Sequence, residues 1–134
     1  MESVALKRGL KVLIVDDEAA VRRVLARQLG VLGHDILEAA DGLQGLSLLR
    51  LNKPEIVMLD LRMPKMDGHA FLKEMAAQKS SAAVIVLSGN ADLNDRVEVL
   101  LAGAVQFVHK PWSQADLVSA LDRARARLPK AEVR

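Results

Sequence analysis

The chain alternates five times between a short apolar run and a longer segment in which apolar residues have helical spacing. Four of the five runs are nearly continuous, as expected for parallel strands whose two faces are both covered by helices. Alternation of this kind is typical of an α/β fold with a parallel sheet. The weaker second run predicts an edge strand. The predicted strands are Lys11 to Asp16, His34 to Ala39, Glu55 to Asp60, Ala83 to Ser88 and Val105 to His109.

The segments between the runs predict five helices, because apolar residues recur there every three or four positions and Gly or Pro follows most of the repeats. Ser113 and Asp116 precede the last repeat with the spacing of a capping box, in which Asp takes the usual Glu position. The apolar positions of successive helices are Val21, Val24, Leu25, Leu29 and Leu32; Leu43 to Leu51; Phe71, Leu72 and Met75; Leu93, Val97, Leu100 and Leu101; and Leu117, Leu121, Ala124 and Leu128.

Length and composition agree with one globular domain. The chain has 134 residues, of which 51% are hydrophobic and 27% charged, an ordinary globular composition. It contains no Cys, its first residues lack the layout of a signal peptide, and no apolar stretch reaches the roughly 20 residues that span a bilayer. We therefore expect a cytoplasmic protein with no membrane segment. The domain is predicted over residues 11–128, with an N-terminal extension at 1–10 and a tail or linker at 129–134.

The net charge of +2 is concentrated at the end of the chain. Between Asp122 and Arg134 the basic side chains outnumber the acidic ones, so the preceding part is slightly acidic. Nucleic-acid binding depends on many clustered phosphate contacts, and the body of the domain offers no basic cluster for them. We expect no direct nucleic-acid binding by this domain.

Polar residues end four of the five predicted strands: Asp16 with Asp17, then Asp60, Ser88 and Lys110. Each alone has an ordinary structural explanation. Asp17 suits the N-cap of the first helix, Asp60 precedes a turn, Ser88 suits a loop or the cap of the fourth helix, and lysine is usually exposed. In an open parallel sheet, however, ligands bind beyond the carboxyl ends of the strands. The convergence of these residues on that edge favours a functional site.

Three neighbouring carboxylates repel one another and require a cation. A ligand set made of oxygens, without Cys, favours a hard divalent ion such as Mg²⁺. Asp60 is then a candidate nucleophile of the kind that forms an aspartyl phosphate. Phosphoryl transfer requires mainly positioning and neutralisation of charge, which Mg²⁺, Lys110 and the hydroxyl of Ser88 could supply.

Four segments carry a resemblance to a known family: VLIVDDE at 12–18, MLDLRMPKMDG at 58–68, VIVLSGN at 84–90 and FVHKPW at 107–112. In this order and at this spacing they resemble the receiver domain of bacterial two-component response regulators, over about residues 11–128. The resemblance implies a flavodoxin-like α/β fold. In that fold a single doubly wound sheet of five parallel strands, in the order 2-1-3-4-5, is flanked by five helices.

The resemblance also implies roles at the sheet edge. Asp60 would be the phosphoacceptor. Mg²⁺ would be bound by Asp16, Asp17, Asp60 and the backbone carbonyl of Arg62. Lys110 would pair with the phosphoryl oxygens, across a cis peptide bond that only an X-Pro sequence adopts cheaply.

A conformational switch is a further implication. Ser88 would move toward the phosphoryl group, and Phe107 would turn inward behind it and repack the surface of the fourth helix, fifth strand and fifth helix. Phe107 stands where many relatives carry Tyr, so it offers no hydroxyl to a partner. Gly89 would admit the phosphodonor, while Arg62 and Asn90 would tune the lifetime of the phosphoryl group.

Three other functions match the sequence less well. A Mg²⁺-dependent phosphohydrolase with an Asp nucleophile carries a D-x-D pattern, which Asp60, Leu61 and Arg62 do not form. The nucleotide-binding motifs G-x-G-x-x-G and G-x-x-x-x-G-K-[ST] are absent from the sequence. A pseudo-receiver that binds partners without phosphorylation is disfavoured by the complete acidic pocket, but it stays open as an alternative.

The expected partners follow from the resemblance. A sensor histidine kinase or a phosphotransfer protein would donate the phosphoryl group, and an output domain or a separate target would respond to the switch. The cognate kinase, the output and the oligomeric state stay open, with a homodimer through the fourth helix, fifth strand and fifth helix as one option. We expect no enzymatic chemistry beyond self-phosphorylation and autodephosphorylation.

Overall fold

The computed structural model describes residues 8–89 and 91–129. Residues 1–7 of the predicted extension, Asn90, and residues 130–134 of the predicted tail lie outside the described residues. Strands and helices alternate as the apolar pattern predicts. The strands are β1 (Lys11–Val15), β2 (Asp35–Ala39), β3 (Ile56–Asp60), β4 (Ala83–Ser88) and β5 (Gln106–His109). The helices are α1 (Ala19–Val31), α2 (Gly42–Asn52), α3 (Gly68–Ala77), α4 (Leu93–Leu101) and α5 (Gln114–Arg127).

The strands are all parallel and lie in the order β2-β1-β3-β4-β5. The predicted α/β class, the strand order and the edge position of β2 are therefore confirmed. From β1 the chain goes outward to β2 and then returns to the other side of β1 to form β3. The strand order thus reverses between β1 and β3, and the crevice beyond their carboxyl ends is where a ligand site is expected.

Apolar side chains form a core layer on each face of the sheet. Successive residues of a strand point to opposite faces, so Leu13 and Val15 pack in one layer while Val12 and Ile14 pack in the other. Helices α2, α3 and α4 contribute to the first layer, and α1 and α5 contribute to the second. Burial of each such side chain contributes roughly 1.5 to 3 kcal/mol. The two layers together fix the strand ends, which carry the polar residues.

The helix starts correct two interpretations of the sequence. Helix α1 begins after Glu18, whose side chain makes no capping hydrogen bond, so Asp17 is not its cap. Asp92, rather than Ser88, caps α4. The capping box of Ser113 and Asp116 at the start of α5 is confirmed. None of the helices in residues 8–89 and 91–129 has the length and apolar character needed to span a bilayer.

Helix α4 exposes most of its apolar residues. Leu93, Val97, Leu100 and Leu101 are 46 to 82% exposed, whereas Val99 is fully buried. Helical spacing correctly predicts that the four residues share a face, but it does not determine which face meets the core. Helix α4 is thus held to the sheet by few apolar contacts.

His34 gives the fold a pH dependence. Its Nδ1 accepts a hydrogen bond from the backbone N–H of Leu10 at 3.0 Å. Burial and the positive charge of Arg125 lower the pKa of His34 below its ordinary value, although Glu55 acts in the opposite direction. A protonated Nδ1 cannot accept the hydrogen bond. The unfolded chain therefore binds this proton more readily than the folded one, and stability decreases as the pH falls below about 6.5.

We expect the free energy of unfolding to fall more in the wild type than in His34→Gln between about pH 7.5 and about pH 5.5. Gln does not titrate, so its hydrogen-bonding groups are the same at both pH values. Urea unfolding at both pH values measures the difference, with His109→Gln, at the exposed end of β5, as the matched control. An equal pH dependence in wild type and His34→Gln would contradict this role for His34.

Candidate functional site

Strand register brings the predicted carboxylates together. Val15 of β1 lies opposite Leu59 of β3. The next residues of the two strands, Asp16 and Asp60, therefore lie side by side. Asp60 itself lies opposite Leu87 of β4. The carboxylates come from the two strands between which the order of the sheet reverses.

The next two strands add a hydroxyl and an ammonium group. Ser88 ends β4 and lies opposite His109 of β5. The backbone N–H of Lys110 donates to the carbonyl of Ser88 at 3.0 Å. The peptide bond between Lys110 and Pro111 is cis, as predicted. The structure thus places Lys110 and Ser88 at the same edge as the carboxylates.

The loop after Asp60 is fixed by the close approach of α3. A Cβ on Gly68 would lie 2.8 Å from the carbonyl oxygen of Asp60 and 2.7 Å from a methyl group of Leu61. The backbone N–H of Gly68 also donates to the carbonyl of Leu61 at 3.0 Å. Only glycine lets the helix begin this close to the strand end, so any larger residue would displace the loop that carries Asp60.

The three predicted metal-binding carboxylates lie together. One oxygen each of Asp16, Asp17 and Asp60 lies within 4.8 Å of the others. Asp16 and Asp60 are 2% and 5% exposed, whereas Asp17 faces solvent. A group of oxygens that is open on one side suits a hard ion that keeps several waters, as Mg²⁺ does.

Lys110 is the cation of this cluster. Its Nζ lies 2.8 Å from Oδ2 of Asp16, 3.4 Å from Oε1 of Glu18 and 3.7 Å from Oδ1 of Asp60. Asp16 is further oriented by the backbone N–H of Glu18, which donates to its Oδ1 at 2.9 Å. Glu18 was not among the predicted site residues, although its position directly after the two aspartates was a visible signal.

The pKa values reflect this crowding. Burial raises the pKa of Asp60 to about 6, and the nearby charge of Asp16 adds to the effect, while Lys110 partly opposes it. Burial lowers the pKa of Lys110, whereas its hydrogen bond to Asp16 and the negative charge of Asp60 raise it. The net result is a pKa above the ordinary value for lysine. The surroundings of Asp60 therefore disfavour its ionised form, which an added cation would stabilise.

Ser88 and Phe107 lie on the same face of neighbouring strands, because Phe107 is opposite Val86 of β4. The Oγ of Ser88 is fully buried and has no hydrogen-bond partner among the described residues. Phe107 is 8% exposed and packs in the core layer that also contains Val99 of α4. The guanidinium of Arg96 on α4 lies 4.9 Å from the centre of this ring, within the range of a cation–π contact.

The residues expected to tune the reaction have different surroundings. The backbone N–H of Arg62 donates to Oδ1 of Asp60 at 3.4 Å, while its side chain pairs with Asp95 on α4. A Cβ on Gly89 would lie 3.6 Å from Cβ of Lys110, an ordinary contact, so packing alone does not require Gly there. Asn90 lies outside the described residues. Asp95 and Arg96 gave no signal in the sequence, because the orientation of α4 was unknown.

Comparisons with known proteins agree with this geometry. A family model described as the response regulator receiver domain matches residues 12–122. The probable transcriptional regulator ycf27 of Porphyridium aerugineum is 37% identical over 121 residues, which are 90% of this chain and 50% of that protein. The response regulator MprA of Mycobacterium sp. (strain KMS) is 32% identical over 112 residues, 84% of this chain and 49% of that protein. The chain spans about half the length of these curated relatives.

Solved structures show the same fold. FixJ-N has a TM-score of 0.84 and 31% identity, with 93% of this chain and 100% of that chain covered. A response regulator receiver domain protein from Clostridium thermocellum has a TM-score of 0.83 and 30% identity, with 88% and 95% covered. Both likenesses cover most of this chain.

The buried Asp60 carboxylate should destabilise the metal-free fold. Because its pKa is about 6 in the folded chain and 3.8 as an ordinary value, the folded state holds this proton more tightly than the unfolded state does. The cost of ionisation is therefore present above about pH 6 and absent below about pH 4. The difference between these two pKa values corresponds to at most about 3 kcal/mol of stability, and water at the open side of the cluster reduces this cost.

We expect Asp60→Asn to raise the free energy of unfolding by about 1 to 2 kcal/mol at about pH 7.5 in the presence of a chelator, and by nothing measurable at about pH 4. Urea unfolding at both pH values tests this. Asp67→Asn, in the same loop, is the matched control, because Asn is an equally favoured helix cap. Equal stability of Asp60→Asn and wild type at about pH 7.5 would be the contradicting result.

Proposed function

The chain belongs to the response regulator receiver domain family, and from this premise we propose that Asp60 is the residue on which it carries a phosphoryl group. The observation that carries the proposal is the position of the Asp60 carboxylate. It is 5% exposed, lies beside Asp16 at the point where the strand order reverses, and has the ammonium of Lys110 at 3.7 Å. A turn-forming aspartate needs none of these neighbours.

The acidic cluster fits the Mg²⁺ that this family uses. Its three carboxylates offer oxygens within 4.8 Å of one another, and Asp60 has a raised pKa that an added cation would lower. We propose that Asp16, Asp17, Asp60 and the backbone carbonyl of Arg62 hold the ion. When bound, Mg²⁺ supplies positive charge to the carboxylates and to the phosphoryl oxygens.

The donor in this proposal is a phosphohistidine of a sensor histidine kinase or a phosphotransfer protein. A carboxylate oxygen of Asp60 attacks the phosphorus, a P–O bond forms as the P–N bond breaks, and the electron pair returns to the imidazole. With a pKa of about 6, Asp60 is mostly ionised at neutral pH, as a nucleophile must be. Water later attacks the phosphorus, releases inorganic phosphate and restores the carboxylate.

Lys110 and Ser88 supply donors to the transferred group. The Nζ of Lys110, now 2.8 Å from Asp16 and 3.7 Å from Asp60, lies where a group on Asp60 would offer it new oxygens. The hydroxyl of Ser88 is buried without a partner among the described residues. A buried hydroxyl gains about 1 kcal/mol or more when it finds an acceptor. The lack of a hydrogen-bond partner for the Ser88 hydroxyl supports a movement of Ser88 toward a phosphoryl group.

The switch would act on the surface formed by α4, β5 and α5. Phe107 lies on the same face of the sheet as Ser88, on the neighbouring strand, and its ring lies under Arg96 of α4, so we propose that a shift of the serine changes the support of that helix. The exposed apolar residues of α4 support a binding role for this surface, and a homodimer through it stays one of our predictions. The curated relatives are about twice as long as the matched region, and we propose that an output domain or a separate target responds to the change.

Two alternatives make different predictions. A phosphohydrolase would turn over a phosphate ester repeatedly, whereas Asp60 in a receiver accepts one phosphoryl group and releases it slowly. A pseudo-receiver would not react at all. Exposure to a small phosphodonor therefore separates the three.

We expect the wild type to gain the mass of one phosphoryl group when it is incubated with Mg²⁺ and acetyl phosphate, because Asp60 is the nucleophile. Intact-protein mass spectrometry measures the gain. Asp60→Asn should gain nothing, and Asp67→Asn should behave like the wild type. No gain in the wild type, or an undiminished gain in Asp60→Asn, would refute the proposal.

A second prediction concerns Ser88→Ala. Removal of a buried hydroxyl without a partner should raise the free energy of unfolding by about 1 kcal/mol in the unphosphorylated protein. The matched control is Ser80→Ala, because the Oγ of Ser80 accepts the backbone N–H of Ala82 at 3.2 Å and its loss should lower stability. Phosphorylated Ser88→Ala should also lack the change in hydrogen exchange of α4 and β5 that the wild type shows. A stability loss like that of Ser80→Ala, or an unchanged exchange response, would count against the switch role.

A further inference from the structure

The side chain of Arg62 pairs with a carboxylate on α4, whereas its backbone contacts the carboxylate of Asp60. Its backbone N–H donates to Oδ1 of Asp60 at 3.4 Å, but its Nη2 lies 2.5 Å from Oδ2 of Asp95 on α4. The side chain of Arg62 is 50% exposed, whereas that of Asp95 is 14% exposed. Arg62 therefore belongs to the acceptor loop through its backbone and to α4 through its guanidinium.

Asp95 anchors the first turn of α4. Its Oδ2 also accepts the backbone N–H of Asp92 at 3.2 Å, and its Oδ1 lies 3.1 Å from Nε2 of His69 on α3. The hydrogen bond from Asp92 lowers the pKa of Asp95, and contacts with His69 and Arg62 lower it further. Asp95 is thus a carboxylate at neutral pH that connects α4 with the acceptor loop and with α3.

The remaining contacts of α4 are weak. Val99 is the one apolar residue of this helix that is buried in the described structure, and Leu93 and Val97 in its first half are exposed. Short helices are not stable without tertiary contacts. The ionic contacts of Asp95 therefore act together with the capping box of Asp92 and Asp95 to hold the first turn in place.

Given the proposed phosphoacceptor role of Asp60, on which this inference rests, we propose that the phosphoryl group and Asp95 compete for the guanidinium of Arg62. A phosphoryl group adds about −1.5 to −2 charges and several acceptor oxygens two residues before Arg62. A guanidinium binds such oxygens well, often through two hydrogen bonds. In the unphosphorylated protein Asp95 holds the guanidinium on α4. When the phosphoryl group recruits it, the first turn of α4 loses an anchor.

Asp95 is in this sense a positioning residue, which acts on the phosphoryl group through Arg62. Competition has a measurable consequence, because Asp95 must be displaced before Arg62 can reach the phosphoryl oxygens. Removal of the Asp95 charge should therefore strengthen binding of a phosphoryl group. Because exposed ion pairs contribute little free energy, we expect the affinity for a phosphoryl group to change about two- to fivefold.

The test measures the affinity of the Mg²⁺-containing protein for beryllofluoride, a phosphoryl mimic, by isothermal titration calorimetry. We expect Asp95→Asn to bind it about two- to fivefold more tightly than the wild type. In the Arg62→Gln background, Asp95→Asn should have no effect, because the competition requires the guanidinium. Asn retains an oxygen for the Asp92 N–H, and thermal unfolding checks that each variant folds.

Glu98→Gln is the matched control. This substitution removes the same charge from the same helix. Oε1 of Glu98 lies 3.5 Å from Nδ1 of His69, but Glu98 does not pair with Arg62. Its affinity for beryllofluoride should equal that of the wild type. The inference is overturned if Asp95→Asn leaves binding unchanged or weakens it, if its effect is the same in the Arg62→Gln background, or if Glu98→Gln reproduces it.

Failure of the proposed function would look different. A wild type that does not bind beryllofluoride, or Asp60→Asn that binds it equally well, overturns both the acceptor role of Asp60 and the competition. Binding that depends on Asp60 but not on Asp95 overturns the competition alone.

Discussion

The ion pair between Lys110 and Asp16 is the interaction on which the site depends. It joins the residue after β5 to the residue after β1 at 2.8 Å and so spans the ends of β3 and β4, where Asp60 and Ser88 lie. Buried charges are tolerated only when they are paired. Without this ammonium, two nearly inaccessible carboxylates would face each other uncompensated. The same requirement favours the binding of a further cation by the cluster, because one lysine cannot fully compensate three carboxylates.

The fold and the convergence of the candidate site residues could be predicted from the sequence for the same physical reason. Continuous apolar runs identify parallel strands, and the parallel arrangement brings all their carboxyl ends to one edge. Any polar residue that ends such a run must therefore lie near the others, as Asp16, Asp60, Ser88 and Lys110 do. No knowledge of side-chain packing was needed for this step. Glu18 was accessible to the same logic and was missed only because helix starts commonly carry acids.

The contacts of α4 could not be predicted in this way. Spacing shows which residues share a helix face, but the rotation of a short helix on the sheet depends on packing that the sequence does not reveal. Val24 of α1 and Leu101 of α4 fit an apolar stripe, yet they are 49% and 82% exposed. The roles of Asp95 and Arg96 follow from that rotation. Both residues look like ordinary surface charges until α4 is placed over the acceptor loop and Phe107.

In the proposed function, this arrangement suits α4 to respond to a charge at Asp60. Neighbouring residues in the first half of the helix contact the loop after β3 and the core aromatic, because Asp95 pairs with Arg62 and Arg96 lies over the ring of Phe107. The strength of such contacts depends on the local charge, which a phosphoryl group on Asp60 would change directly. Apolar packing depends on charge much less. A helix with a large buried face would resist such a change. In the proposed switch, α4 responds because it buries few apolar residues, so that a modest electrostatic bias at Asp60 would be enough to shift it.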